Sequence, residues 1–242
     1  MRIVLTNDDG PDSPGFLVLG RHLAAAAEVF AVVPRSDMSG TSHALTTDHG
    51  AVRKPIKYRP LPASCGLAGY VVDGYTVDCV LLAQGMLGGE FDAVVSGINP
   101  GANTGRNIHY SGTAAAALEA ALSGRKGLAV SIDSRTPVHL DSAAILAVEV
   151  LKRLVIHPGP LVLNLNVPDL PVREIKGVKI TRMTTPESNL PAKSGEFSGE
   201  KYVYDDRALA EGFASLTPLL WDLTDMVKLN VLEDWELHAG ER

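Results

Sequence analysis

Short apolar runs alternate with Ala/Leu-rich stretches through the first two thirds of the chain, and this rhythm restricts the fold more than any other feature. The runs Arg2 to Leu5, Glu28 to Val33, Phe91 to Val95, Leu128 to Ile132 and Leu161 to Val167 are almost continuously hydrophobic. Strands of that composition have both faces covered, as in a parallel sheet. Between them Gly15 to Ala26, Thr76 to Leu87, Thr113 to Leu122 and Asp141 to Val155 read as helices. The alternation predicts an α/β architecture, a Rossmann-like doubly wound and mainly parallel sheet, over residues 1–170. Residues 40–70 carry Pro55, Pro60 and Pro62 and read as an irregular insertion with a hairpin. Beyond Pro168 the pattern changes to Val178 to Thr181, a polar stretch from Thr184 to Ser198, and Tyr202 to Tyr204. A turn at Thr217-Pro218 and a terminal helix from Asp222 follow. Residues 171–242 are therefore expected to form a C-terminal extended arm or hairpin with a helix, within the same domain. Arms of this kind often exchange between subunits.

Composition narrows the partners. The chain of 242 residues is long enough for one large core, and its net charge of −6 argues against a broad surface for duplex nucleic acid. No apolar run nears the roughly 18 residues of a membrane span. Met1-Arg2-Ile3 is already strand-like and lacks the layout of a signal peptide. Cys65 and Cys79 have neither disulfide-framework nor zinc spacing, so they are expected to be reduced in a cytoplasmic protein.

Chemistry concentrates where the first strand ends, at Thr6-Asn7-Asp8-Asp9-Gly10. Neighbouring residues on a strand point to opposite faces, so adjacent acids belong in the loop, where both can turn toward one point. Two carboxylates held together repel, and a hard divalent ion with oxygen ligands relieves the repulsion. The plainer reading is an acidic helix start with Asp8 or Asp9 as an N-cap. In open α/β sheets ligands bind beyond the carboxyl ends of the strands. Two further loops on that edge share the polar, glycine-rich character: Arg35-Ser36-Asp37-Met38-Ser39-Gly40-Thr41-Ser42, and Ser96-Gly97-Ile98-Asn99-Pro100-Gly101-Ala102-Asn103-Thr104-Gly105. Two acids, a serine hydroxyl and an asparagine carbonyl make a shell suited to Mg²⁺, Mn²⁺ or Ca²⁺, and the absence of a His/Cys cluster disfavours zinc. Next, Tyr110-Ser111-Gly112-Thr113 opens an alanine-rich helix. A helix start with free amides cradles phosphate, although simple capping is the commoner use of such a turn.

These motifs, in this order, resemble the SurE (survival protein E) family of nucleotidases. The resemblance rests on Asn7-Asp8-Asp9-Gly10, Ser39-Gly40, Ser96-Gly97-Ile98-Asn99 with Gly101, Asn103 and Gly105, and Tyr110-Ser111-Gly112-Thr113. Asp78-Cys79-Val80, Asn164 to Pro168 and Gly212 with Thr217-Pro218-Leu219 extend it over nearly the whole chain. It implies a divalent-metal-dependent phosphohydrolase that removes phosphate from nucleoside 5′- and 3′-monophosphates, with short polyphosphate as a further substrate. It implies one metal ion per subunit, Mg²⁺ or Mn²⁺, held by Asp8, Asp9, Ser39 and Asn99. Asn103, Ser111, Gly112 and Thr113 would hold the phosphate, and Asp8, Asp9 and Asn103 would carry catalysis, with either acid as general base. It further implies a homodimer or homotetramer joined by a swapped arm.

Two stretches depart from the family pattern. Gly74-Tyr75-Thr76-Val77 replaces a Gly-Thr-Pro-Ala run, and Thr181-Arg182 continues as Met183-Thr184-Thr185-Pro186 rather than into a basic stretch. The first bears on substrate preference through Tyr75, the second on arm exchange. His43 and His109 are the histidines nearest the loops and candidate acids for the leaving group, and Arg35 and Arg106 are candidate phosphate contacts. A response-regulator receiver also pairs acids after strand one, but it needs an acid where this chain has Asn99. A haloacid-dehalogenase phosphatase needs Asp-x-Asp, which Asp8-Asp9 does not match. A binding protein that keeps the metal site without turnover is the remaining alternative.

Overall fold

The computed structural model describes residues 1–46, 56–185, 202–233 and 235. The five apolar runs are all strands: β1 (Arg2–Thr6), β2 (Glu28–Pro34), β5 (Ala93–Pro100), β6 (Lys126–Asp133) and β7 (Val162–Pro168). The helices between them are α1 (Pro14–Ala24), α2 (Thr76–Met86), α3 (Gly112–Leu122) and α4 (Leu140–Ile156). With β3 (Tyr58–Pro60), β4 (Ala68–Val72), β8 (Val178–Arg182), β9 (Val203–Tyr204) and β10 (Ala214–Leu219), the strands form one sheet in the order β3-β4-β2-β1-β5-β6-β7-β10-β8-β9.

Side-chain alternation divides the core between two faces. Ile3, Leu5, Ala93, Val95, Leu128 and Val130 pack against α1 and α4. Val4, Val32 and Val94 meet α2 and α3 through Cys79, Val80, Ala116 and Ala120. Because β5→β6 and β6→β7 run the same way along the sheet but α3 and α4 lie on opposite faces, those two crossovers have opposite hands. Strand order reverses between β1 and β5, since β2 and β4 lie on one side of β1 while β6 and β7 lie beyond β5. That reversal opens a crevice at the carboxyl ends of β1 and β5, with Thr6 and Ser96 in register at its floor.

Three readings of the sequence need correction. Ala68–Val72, assigned mostly to an irregular insertion, is a parallel strand against β2, and β3 pairs back on it antiparallel as a hairpin. Two of its residues alone are buried, so the run is too short and mixed to signal a core strand. Thr217-Pro218 is not a turn but part of β10, which runs antiparallel to β7 and parallel to β8. Pairing with β8 ends at Leu216, so the missing N–H of Pro218 falls where one side of the strand has no ladder partner. The terminal helix α6 spans Met226–Glu233, later than Asp222, and a short α5 (Asp205–Ala210) precedes β10. The polar stretch from Thr184 to Ser198 lies outside the described residues after Thr185.

The crevice depends on close packing beneath it. β5 carries one extra residue between Ser96 and Asn99 relative to β6, a bulge that re-aims the strand end. α1 begins against that bulge, and a Cβ on Gly15 would lie 2.1 Å from the Ile98 carbonyl oxygen. Gly15→Val should therefore destabilise the protein by about 1–3 kcal/mol in urea unfolding. An unchanged midpoint would show that the bulge is not clamped by α1.

Candidate metal and phosphate site

Backbone geometry first forces the two acids outward. The buried Asn7 side chain donates to the Gly10 carbonyl at 2.8 Å and accepts the Gly10 N–H at 3.2 Å, closing a tight turn around Asp8 and Asp9. Gly10 sits at φ +99°, a conformation that favours glycine. Asp8 is 2% exposed, and its Oδ1 accepts the Thr113 hydroxyl at 2.6 Å. α3 approaches so closely that a Cβ on Gly112 would lie 2.9 Å from Asp8 Cβ and 3.0 Å from Asp8 Oδ2. The helix start and the first strand end are thus in contact, and only glycine fits between them.

The electrostatics match this crowding. Burial raises the Asp8 pKa against the lowering effect of the Thr113 hydroxyl and amide. Burial, then Asp8, then Asp37 raise Asp9 to about 7. Asp9 Oδ2 is buried without a hydrogen-bond partner among the described residues. An orphaned carboxylate oxygen beside a second buried carboxylate is the arrangement that a hard cation satisfies.

The β2 loop is tied to the pair, and Asn99 lies near the end of β5, the strand next to β1. Met38 N–H donates to the Asp8 carbonyl at 2.6 Å, so the segment bearing Ser39 is pinned to the acidic turn. Ser39 is exposed, and its N–H donates to Asp37 Oδ1 at 2.8 Å. Asn99 follows the β5 bulge; its Nδ2 donates to the Gly101 carbonyl at 2.7 Å, which leaves Oδ1 as the atom open to a cation. The oxygen donor set of Asp8, Asp9, Ser39 and Asn99 therefore fits a hard divalent ion.

The phosphate side is built around the start of α3, where Ser111 is the N-cap, one of the two caps expected from the sequence. Ser111 Oγ accepts the Ala114 N–H at 3.0 Å, so this hydroxyl caps α3. Thr113 spends its hydroxyl on Asp8. What the turn offers an anion is the positive end of the helix and its first amides, not these two hydroxyls. Asn103 is 9% exposed and donates through Nδ2 to Ser131 Oγ at 2.9 Å. Its N–H donates to Asn166 Oδ1 at 2.7 Å, while Asn164 and Asn166 donate to its carbonyl at 2.8 and 3.2 Å. Asn164 and Asn166 are two apart on β7, hence on one face, and they lock Asn103 in place.

Sequence reasoning did not pick out Ser131, Asn166, Asp37 or Thr76 for this site. Thr76 stands at the start of α2 with its hydroxyl buried, without a partner among the described residues, and 3.1 Å from where a Gly112 Cβ would be. The available signals were the Asn164 to Pro168 match for Asn166, the polar loop that holds Asp37, and the departure at Gly74-Tyr75-Thr76-Val77 for Thr76. The candidate cations and acids lie differently placed. Arg35 pairs with Asp73 at 3.2 Å, Arg106 is exposed, and His43 Nε2 is 2.8 Å from Glu119 Oε2. His109 is exposed, and its carbonyl accepts the Ser42 hydroxyl at 2.6 Å.

The family model described as Survival protein SurE matches residues 3–189. The chain belongs to the SurE family. It is 37% identical to the 5′-nucleotidase SurE of Alkalilimnicola ehrlichii, covering 99% of this chain and 97% of that protein. It is 39% identical to the 5′-nucleotidase SurE of Nitrosococcus oceani, with 97% of each chain covered. Among solved structures it is similar to the SurE protein of Aquifex aeolicus, with TM-score 0.78 and 30% identity over 97% of this chain and all of that one. The fold of this SurE chain is accordingly α/β and Rossmann-like, with a mixed, mostly parallel sheet.

The raised Asp9 pKa has a testable sign. Its folded value of about 7 exceeds the ordinary 3.8, so between those values the folded state binds more protons than the unfolded. Stability of the metal-free protein should therefore fall as pH rises from about 4 to 7 through this group. In EDTA the melting temperature should be higher at pH 5 than at pH 7.5, and Asp9→Asn should shrink the difference. Saturating Mn²⁺ should raise stability most at the higher pH, because it binds the ionised pair.

Proposed function

We propose that this SurE chain is a divalent-metal-dependent phosphohydrolase acting on nucleoside 5′- and 3′-monophosphates, with short polyphosphate as a secondary substrate. The observation that carries the reading is the contact between Asp8 and the start of α3, which puts a cation-seeking carboxylate pair beside an anion-seeking helix end. Its family relatives named 5′-nucleotidase SurE supply the substrate class. One Mg²⁺ or Mn²⁺ per subunit, held by Asp8, Asp9, Ser39 and Asn99, would supply charge neutralisation at the phosphoryl group and acidify an attacking water.

The protein's own groups do the rest. Thr113 fixes the orientation of Asp8 through its Oδ1, so Asp8 is the rigid ligand. Asp9, whose Oδ2 makes no hydrogen bond among the described residues, is the better placed acceptor for the water's proton. The first amides of α3 and the Asn103 side chain hold the non-bridging phosphate oxygens and stabilise charge as it develops. Asn164 and Asn166 keep Asn103 from drifting. We place the protein in the cytoplasm; among the described residues no helix is long and apolar enough to cross a membrane. A homodimer or homotetramer is supported by the exposed Leu220, Leu223 and Met226 leading into α6.

Phosphate release from AMP, GMP and 3′-nucleotides should require Mn²⁺ or Mg²⁺ and disappear in EDTA. Asp9→Asn should abolish it while circular dichroism stays unchanged; full activity in that variant would remove Asp9 from the mechanism. Asn166→Ala should lower kcat about tenfold or more by loosening Asn103, with metal affinity retained. No phosphate release under any metal would favour a protein that binds without turnover.

A further inference from the structure

The loop that carries Asn103 is held along its whole length. At its start the Gly101 N–H donates to the Ile132 carbonyl on β6 at 2.9 Å, and Asn103 itself is bound to Ser131 and Asn166. Its end belongs to the C-terminal part: the Gly105 N–H donates at 2.9 Å to Oδ2 of Asp205, 100 positions later in the chain. The other carboxylate oxygen, Oδ1, accepts the Thr184 N–H at 2.9 Å, the Thr184 hydroxyl at 2.7 Å and the Asp206 N–H at 3.0 Å. Asp205 is fully buried, so each of these donors would be costly to leave unpaired. It opens α5, yet Gly105 and Thr184 lie outside that helix, so capping α5 does not account for the arrangement. The backbones meet as well: Gly105 has φ +50°, and a Cβ there would lie 2.8 Å from the Thr184 carbonyl oxygen.

We propose that Asp205 is a positioning residue for the reaction, the clamp through which the C-terminal segments hold the phosphate-binding loop; this rests on the phosphohydrolase reading above. Gly105 follows Asn103 closely and begins the 3₁₀ stretch Gly105–Tyr110, which leads into the Ser111 cap of α3. The clamp therefore sits between the Asn103 side chain and the first amides of α3, the two groups assigned to the phosphate oxygens. Asn164 and Asn166 hold the Asn103 backbone from the sheet. With the Gly105 end released, the loop would pivot about those bonds and carry the Asn103 side chain with it. A displacement of about 1 Å at a group that binds the reacting phosphate is enough to cost a large part of the rate.

A double-mutant cycle on the full chain tests this, with kcat/KM for AMP and calorimetric Mn²⁺ affinity measured for every variant. Asp205→Asn keeps the shape but puts an amide where one acceptor oxygen was, so keeping the Thr184 bonds releases Gly105. It should lower kcat/KM about tenfold while Mn²⁺ affinity stays within about twofold. In an Asn103→Ala background the same substitution should cost less than about twofold, because the group it positions is gone. Asp206→Asn, at the exposed neighbour that accepts the Thr184 hydroxyl and the Arg207 N–H, should leave kcat/KM within about twofold. Thr184→Val, which removes the hydroxyl and keeps the N–H, should give a smaller loss that also vanishes in Asn103→Ala, and it decides the question if Asp205→Asn does not fold. Unchanged kcat/KM, equal losses with and without Asn103, or a matching loss of Mn²⁺ binding would make Asp205 a structural residue and overturn the inference. If the wild type releases no phosphate with any metal, binding of inorganic phosphate in Mn²⁺ replaces kcat/KM in the same cycle. Coupling there would uphold the clamp and overturn the hydrolase reading, and independent losses would overturn both.

Discussion

Two carboxylates that water cannot fully reach govern this structure. Asp8 is almost wholly buried and Asp9 has a buried oxygen with no partner, so the fold holds an unfavourable charge pair at the end of its first strand. Everything around the pair manages that cost. Asn7 shapes the turn, Thr113 donates to one oxygen, and the β2 loop is tied to the Asp8 carbonyl through Met38. A buried charge is tolerated when paired or coordinated.

The same contact explains why the helix of the cradle is made of small residues. α3 must approach β1 closely enough for Thr113 to reach Asp8, and Gly112 and the alanines behind it allow that distance. A bulkier face would lift the helix away and separate the anion end from the cation end of the site. Further along the crevice, β6 and β7 act through Asn103. Ser131, Asn164 and Asn166 bind its side chain and backbone, so a loop residue gains the rigidity of two central strands. The C-terminal part is joined to the same loop: Asp205, fully buried, accepts the Gly105 N–H at 2.9 Å and the Thr184 N–H at 2.9 Å.

Much of this was legible in the residues themselves. Periodicity and composition determined the five central strands and four helices, because burial of both sheet faces demands continuous apolar runs whatever the partner. Loop chemistry pointed to the candidate site in outline: acids after β1, Ser39 after β2, Asn99 at the end of β5, and a polar helix start. Topology then makes those loops neighbours. Short or mixed segments were less legible. Ala68–Val72 and the strand containing Thr217-Pro218 take their form from the sheets they join, not from their own propensities.

Only the tertiary structure decided what each atom does. Ser111 and Thr113 are both candidate caps in one dimension, yet one hydroxyl caps the helix and the other holds Asp8. Asn164 and Asn166 lie some 60 positions after the residue they clamp, and Thr76 reaches the cradle from a different helix. Hydrogen-bond partners, burial and the resulting pKa shifts depend on distances of a few ångströms between residues far apart in sequence. A linear pattern states which chemistry is present; packing alone states where it points.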